Sequence, residues 1–187
     1  MAKEIIFSPS KKQTEFFRNL EVKSSNFLIL MAGSYQKAEK TFLKEFEKYS
    51  GLSLTEYDMN DLIFEDEKKS VRRIDSFFDS LPSGTNALLF RNADTLNGAY
   101  TGHTNSSNRY ATPQEKYFLK KLHRSETILF LDFEEKANLD PTIRRHAHLI
   151  VDFSNAAGIL DWVMNSLRKF HVHGSRFDTK RRTAHGA

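Results

Sequence analysis

Short apolar runs separated by stretches of helical spacing predict an α/β fold: a three-layer sandwich with a mainly parallel sheet and helices on both faces. Three observations carry this expectation. The runs at 26–33, 87–90, 127–133 and 147–153 are almost continuously apolar, as strands covered on both faces must be. Between them lie 40–51, 68–84 and 113–124, where apolar residues recur every three or four positions. A chain of 187 residues with 39% hydrophobic content can bury one complete core.

In chain order, "TEFFRNL" (14–20) predicts a short amphipathic helix on Phe16, Phe17 and Leu20. "NFLILMAG" (26–33) predicts a buried strand running into a turn. "KTFLKEFEKYSG" (40–51) sets Phe42, Leu43, Phe46 and Tyr49 on one helical face and stops at Gly51, a C-terminal signal. "LSLTEYD" (52–58) reads as a second strand. "KKSVRRIDSFFDSLPSG" (68–84) aligns Val71, Ile74, Phe77, Phe78 and Leu81 before a Pro-Ser-Gly stop. The strand 87–90 follows, and then 98–113, which lacks an apolar pattern and is rich in turn formers, predicts a long loop. A helix over 113–124, strands over 127–133 and 147–153 and a helix over 156–170 complete the series. No internal repeat is visible. Ligands of such sheets sit beyond the carboxyl ends of the strands, here 32–40, 91–94 and 132–135.

Composition excludes several classes. There is no cysteine, hence no disulfide, cysteine-based zinc site or thiol catalysis. No run of 18 apolar residues exists, and "MAKEIIFSPSKKQ" lacks the marks of a secretory signal, so a cytoplasmic protein without membrane contact is expected. The net charge of +4 is concentrated at one end. Residues 168–187 hold six Lys/Arg and one Asp, a charge of +5, which leaves residues 1–167 at −1. The expected organisation is one domain over 1–170 and a basic, flexible tail over 171–187. The tail, with Phe170 and Phe177 among its charges, suits either a solvated end or a docking segment for nucleic acid or acidic protein. His146 and His148, like His171 and His173, have a spacing that can serve metal. No carboxylate cluster completes such a site, so no metal is expected.

Three stretches, "LILMAGSYQKAEKTFLKEF", "ALLFRNADTL" and "NLDPTIRRHAHLIVDF", together resemble the AAA family of P-loop ATPases over roughly residues 26–153. The resemblance implies a phosphate-binding loop at Gly33, Lys40 and Thr41. Glu39 stands where that loop needs glycine, and Gly33 lies one residue too far upstream. It places Arg91 on the magnesium-binding aspartate and Asn92 on the catalytic glutamate. Arginine cannot ligate a cation, and an amide cannot accept the proton of attacking water. Arg91 can supply the charge that magnesium would have brought, or pair with Glu39. The third stretch implies that Arg144 or Arg145 reaches a neighbouring subunit. The family's helical lid is not expected, since only roughly 35 residues follow Phe153.

The reading that results is a catalytically degenerate domain with no catalytic residue and no cofactor beyond weak ATP or ADP. It would act as a structural, regulatory or adaptor subunit through AAA-like partners or copies of itself. Two alternatives stand beside it: a divergent ATPase using Asp94, Asp132 or Glu134, and a nucleic-acid-binding accessory factor using the tail.

Overall fold

A computed structural model of the chain describes residues 2–6, 27–33, 35–82, 86–97, 111–125 and 127–154. The expected helices at 14–20 and 156–170, most of the loop at 98–113, the domain boundary and the tail lie outside these residues.

The described chain forms one sheet of six strands: β1 (Lys3–Ile6), β2 (Phe27–Ala32), β3 (Leu54–Asp58), β4 (Asn86–Arg91), β5 (Thr127–Phe133) and β6 (Leu149–Asp152). Their order is β1-β6-β2-β5-β4-β3, and every neighbouring pair is parallel. Four α-helices accompany them: α1 (Gln36–Ser50), α2 (Glu67–Ser80), α3 (Pro113–Leu122) and α4 (Pro141–His146). The α/β class read from the sequence is therefore the observed one.

Alternation along the strands divides the core in two. Leu28, Leu30, Leu88, Phe90, Leu129 and Leu131 face one side, where Ile74 of α2, Phe118 and Leu122 of α3 and Ile143 of α4 cover them. Ile29, Met31, Leu89, Ile128, Phe130 and Val151 face the other, against Ala38, Phe42, Leu43 and Phe46 of α1. Both faces of β2 and β5 are buried, which is why these strands read as unbroken apolar runs. Each large side chain so buried contributes roughly 1.5–3 kcal/mol. The rings of Phe42 and Phe46 meet Phe130 edge-on, at centroid distances of 6.4 and 4.7 Å.

Local signals set the helix ends. Gly51 caps α1 in the left-handed region (φ 71°), and its N–H donates to Glu47 O. Asp66 caps α2 by accepting from Lys68 N and Lys69 N. That helix stops at Ser80, earlier than expected, because Pro82 drives Leu81 out of the helical region. Thr112 caps α3 ahead of Pro113.

Three further features differ from expectation. Helix α1 begins at Gln36, four residues before Lys40, so only residues 33–35 separate β2 from the helix. Strand β1 was not anticipated: four residues at a sheet edge leave no periodic trace. Helix α4 was not anticipated as a helix either, although Asp140-Pro141 is a start signal, with Asp140 accepting from Thr142 N and Ile143 N.

Candidate functional site

The carboxyl ends of the parallel strands carry Arg91, Asn92, Asp94, Asp132 and Glu134 among the polar residues that the sequence singled out. Arg91 closes β4 and is the hub. Its Nη1 donates to Asp132 Oδ2 of β5 at 2.8 Å and to Glu39 Oε1 of α1, and its Nε donates to Glu56 Oε1 of β3 at 2.9 Å. One guanidinium thus ties three elements, β3, β5 and α1, to a fourth, as the flat, five-donor fork of arginine allows. The expected pairing of Arg91 with Glu39 is present.

Burial makes this cluster consequential. The Glu39 side chain is 8% exposed, that of Asp132 20% and that of Arg91 26%. Burial and the Glu39 charge push the Asp132 carboxyl up to about 6, with Arg91 pulling the other way. Burial alone would weaken the charge on Arg91, but hydrogen bonds to Glu56, Glu39 and Asp132 outweigh it and raise its pKa.

The other strand ends are matched in the same manner. Asp58 at the end of β3 accepts from Asn92 Nδ2 at 2.9 Å, which lowers its pKa. Asp152 at the end of β6 accepts from Lys136 Nζ at 3.2 Å and from Ser154 N at 2.9 Å. Burial works against its ionisation, but Ser154 and Lys136 prevail and lower its pKa. Lys136 also pairs with Glu4 of β1.

The residues expected to hold phosphate have other surroundings. Gly33 has φ 114°, and a Cβ there would lie 2.6 Å from Ser154 N and 2.9 Å from Phe153 C. Its N–H donates to Phe133 O at 3.3 Å. This glycine lets the turn after β2 lie against the end of β6. Lys40 is exposed as the fifth residue of α1, and Thr41 Oγ1 donates to Lys37 O at 2.8 Å. Neither stands at the helix N-terminus, where backbone N–H groups gather around an anion.

Asn92 takes the left-handed conformation (φ 56°), a role that asparagine fills more easily than most residues, and turns the chain away from β4. The carboxylates of the alternative ATPase reading are separated in purpose. Asp94 accepts from Glu134 N at 2.8 Å and from Asn138 Nδ2, which fixes the turn after β5. Glu134 is exposed. Asp132 belongs to the Arg91 cluster.

Of the two arginines at the end of the third stretch, Arg144 is turned inward. It donates to Leu139 O at 3.2 Å and to Lys136 O at 3.1 Å. Arg145 is exposed, with its Nε on Pro141 O at 3.1 Å. His146 meets His123 rather than His148: the two ring nitrogens are 2.8 Å apart. His148 Nδ1 accepts from Leu28 N at 3.0 Å. No group of three or more potential metal ligands occurs among the described residues. A groove of about 410 Å³ opens between β3 and α2, lined by Tyr57, Asp58, Asp61, Arg73 and Phe77 among others, and its lining includes none of the carboxylates that pair with Arg91. No helix among the described residues is long and apolar enough to cross a membrane.

Two residues of consequence, Glu56 and Lys136, gave no signal in the sequence: Glu56 meets Arg91 35 positions away, and Lys136 meets Asp152 and Glu4 at separations of 16 and 132.

No family model matches the chain, and no curated protein matches it. Similar solved structures include the HORMA:CdnC:Trip13 complex of E. coli MS115-1, at 15% identity and a TM-score of 0.49, covering 68% of this chain and 48% of that one. Trip13 of Rhizobiales is 15% identical with a TM-score of 0.39, covering 67% and 44%. A structure described as the basis for katanin self-assembly is 16% identical with a TM-score of 0.45, covering 76% and 44%. The similarity spans less than half the length of each of these chains.

Proposed function

We propose that this chain is a P-loop-like domain that does not hydrolyse nucleotide and serves as a structural or regulatory subunit through protein contacts. The observation that carries the reading is the Arg91 cluster. Where a nucleotide-cleaving site of this layout needs a divalent cation, two carboxylates share the Nη1 of an arginine. The guanidinium cannot be exchanged for a metal ion, and it occupies Glu39 and Asp132 together. A triphosphate entering here would meet those carboxylates in a partly buried site, where like charges repel more strongly than in water. To gain Arg91 it would have to displace them, leaving partly buried charges uncompensated at a cost of about 2–4 kcal/mol, below that of a fully buried pair. Among the described residues no glycine-lined cradle offsets that cost.

Loss of the general base is a second support. A positioned acid–base group supplies about 10²–10⁴-fold in rate, and Asn92 can supply none of it. Its amide is engaged with Asp58.

A divergent ATPase is the second reading, and one observation favours it. A carboxyl pushed up to about 6, as Asp132 is, has the acidity of a general base. One experiment separates the two. Purified protein is titrated calorimetrically with ATP and magnesium, and phosphate release is followed in parallel. The expected outcome is no saturable heat and no release above the rate of an Arg91→Ala, Asp132→Asn double variant. Turnover lost on Lys40→Ala or Asp132→Asn would establish the ATPase and overturn the reading.

The exposure of Arg145 supports a contact surface on α4. With Arg144 turned onto backbone carbonyls, Arg145 is the arginine of the pair that can reach another protein. AAA-like subunits or further copies of this chain are the partners this reading favours.

A further inference from the structure

Helices α3 and α4 meet through a titratable pair at each end. At the first end, Glu115 in the opening turn of α3 faces Asp140, the N-cap of α4. Glu115 is fully buried and Asp140 is 1% exposed. Neither oxygen of Glu115 meets a hydrogen-bond donor, and nor does Asp140 Oδ2. Two buried carboxyls in contact without a donor between them are stable only when one of them keeps its proton. At the second end, His123, the C-cap of α3, and His146, the last residue of α4, bring Nε2 and Nδ1 to 2.8 Å. The rings are tilted by 54° at a centroid distance of 4.9 Å. A hydrogen bond between two imidazoles requires that one ring be neutral, and two imidazolium rings at this distance repel.

We propose that α3 and α4 are joined by a proton-compensated clasp, in which the carboxyl pair requires a bound proton and the histidine pair requires the lack of one. Acidification then strengthens one end as it weakens the other. The element so held is α4, which carries Arg144 and Arg145. This inference does not depend on whether the domain hydrolyses nucleotide.

The surrounding charges act in the directions the clasp needs. Burial and the neighbouring Asp140 push Glu115 up to about 9, with Lys116 opposing. Burial, His123 and Arg145 hold His146 below its ordinary value, with Asp140 opposing, and His148 also faces His123. When α4 opens, both groups revert toward ordinary values. Glu115 releases a proton on opening above pH 4.5, so its contribution to the clasp declines as pH rises toward 9. His146 takes up a proton on opening below pH 6.5, so its contribution declines as pH falls. Below pH 6.5 the two oppose each other. Well above it, only the carboxyl pair acts.

Amide hydrogen exchange of α4 in the full chain, corrected for intrinsic rates, tests this between pH 5 and 9. The wild-type opening constant is expected to vary less steeply with pH below 6.5 than above 7, where it should grow up to about tenfold per unit. In Glu115→Gln the alkaline rise should vanish, and opening should instead grow up to about tenfold per unit as pH falls below 6.5. In His146→Asn opening should diminish steadily on acidification. Should that variant not fold, His123→Asn serves the same purpose from the other helix. Profiles of the variants that parallel the wild type would overturn the proposal. So would ring titrations by NMR in which His123 and His146 behave as independent groups near pH 6.5.

Discussion

Arg91 Nη1 lies 2.8 Å from Asp132 Oδ2, joining the carboxyl ends of β4 and β5, and the same nitrogen holds Glu39 of α1. The cation is therefore a keystone of the sheet's carboxyl edge, and its removal would leave two carboxylates facing each other. Arg91→Ala is expected to destabilise the fold by about 2–4 kcal/mol, because breaking a largely buried pair strands its partner charges. Chemical denaturation at neutral pH measures this. Adding Glu39→Gln and Asp132→Asn to the same chain should recover at least half of the loss. A neutral effect of Arg91→Ala alone would show that the cluster holds nothing together.

Asp132 provides a pH signature. Its folded-state pKa of about 6 lies above the ordinary 3.8, so the folded state keeps this proton longer than the unfolded one. The contribution of this residue to stability is then greatest below about pH 4 and declines as pH rises through 6. Asp132→Asn should remove this decline between pH 4 and 6, shifting the slope of the stability profile upward by at most about 1.4 kcal/mol per pH unit. Unfolding curves of both proteins across that range decide it, and parallel profiles would count against the assignment.

Gly33 should tolerate no side chain. Its φ of 114° is hostile to L-residues, and a Cβ would press on the backbone of Phe153 and Ser154, which cannot swing aside as a side chain can. Gly33→Ala is expected to cost roughly 1–3 kcal/mol from backbone strain alone. Thermal unfolding with unchanged stability would mean that the turn after β2 does not lie against β6.

The two neighbouring arginines should separate cleanly. Arg144→Ala removes two donors from the carbonyls of Leu139 and Lys136, with an expected loss of about 1–2 kcal/mol. Arg145→Ala should stay within about 0.5 kcal/mol of wild type, as exposed substitutions generally do. If Arg145 makes the partner contact, Arg145→Glu will abolish self-association or partner binding in sedimentation while leaving unfolding unchanged.

What the residues alone determined was the sheet's interior and its class. The runs "FLILMA" and "TILFLDF" are apolar on both faces, and a backbone with no polar side can only be an inner strand between two layers of helix. Helix α1 was legible at its end, where Gly51 relieves a left-handed residue, and not at its start, where Tyr35 offers no side-chain cap. That start decided the candidate site, since it moved Lys40 and Thr41 into the body of the helix. The pairing of Arg91 with Glu39 could be conceived from the order of motifs, because strand–turn–helix units deliver both to one edge. Its completion by Asp132 and Glu56, and the meetings of Glu115 with Asp140 and His123 with His146, belong to tertiary structure alone. Periodicity records which face of an element is apolar, a property of neighbours in the chain. The partner of a charge is set by which strand ends lie side by side, and here β4 lies between β3 and β5, an order that no local pattern encodes.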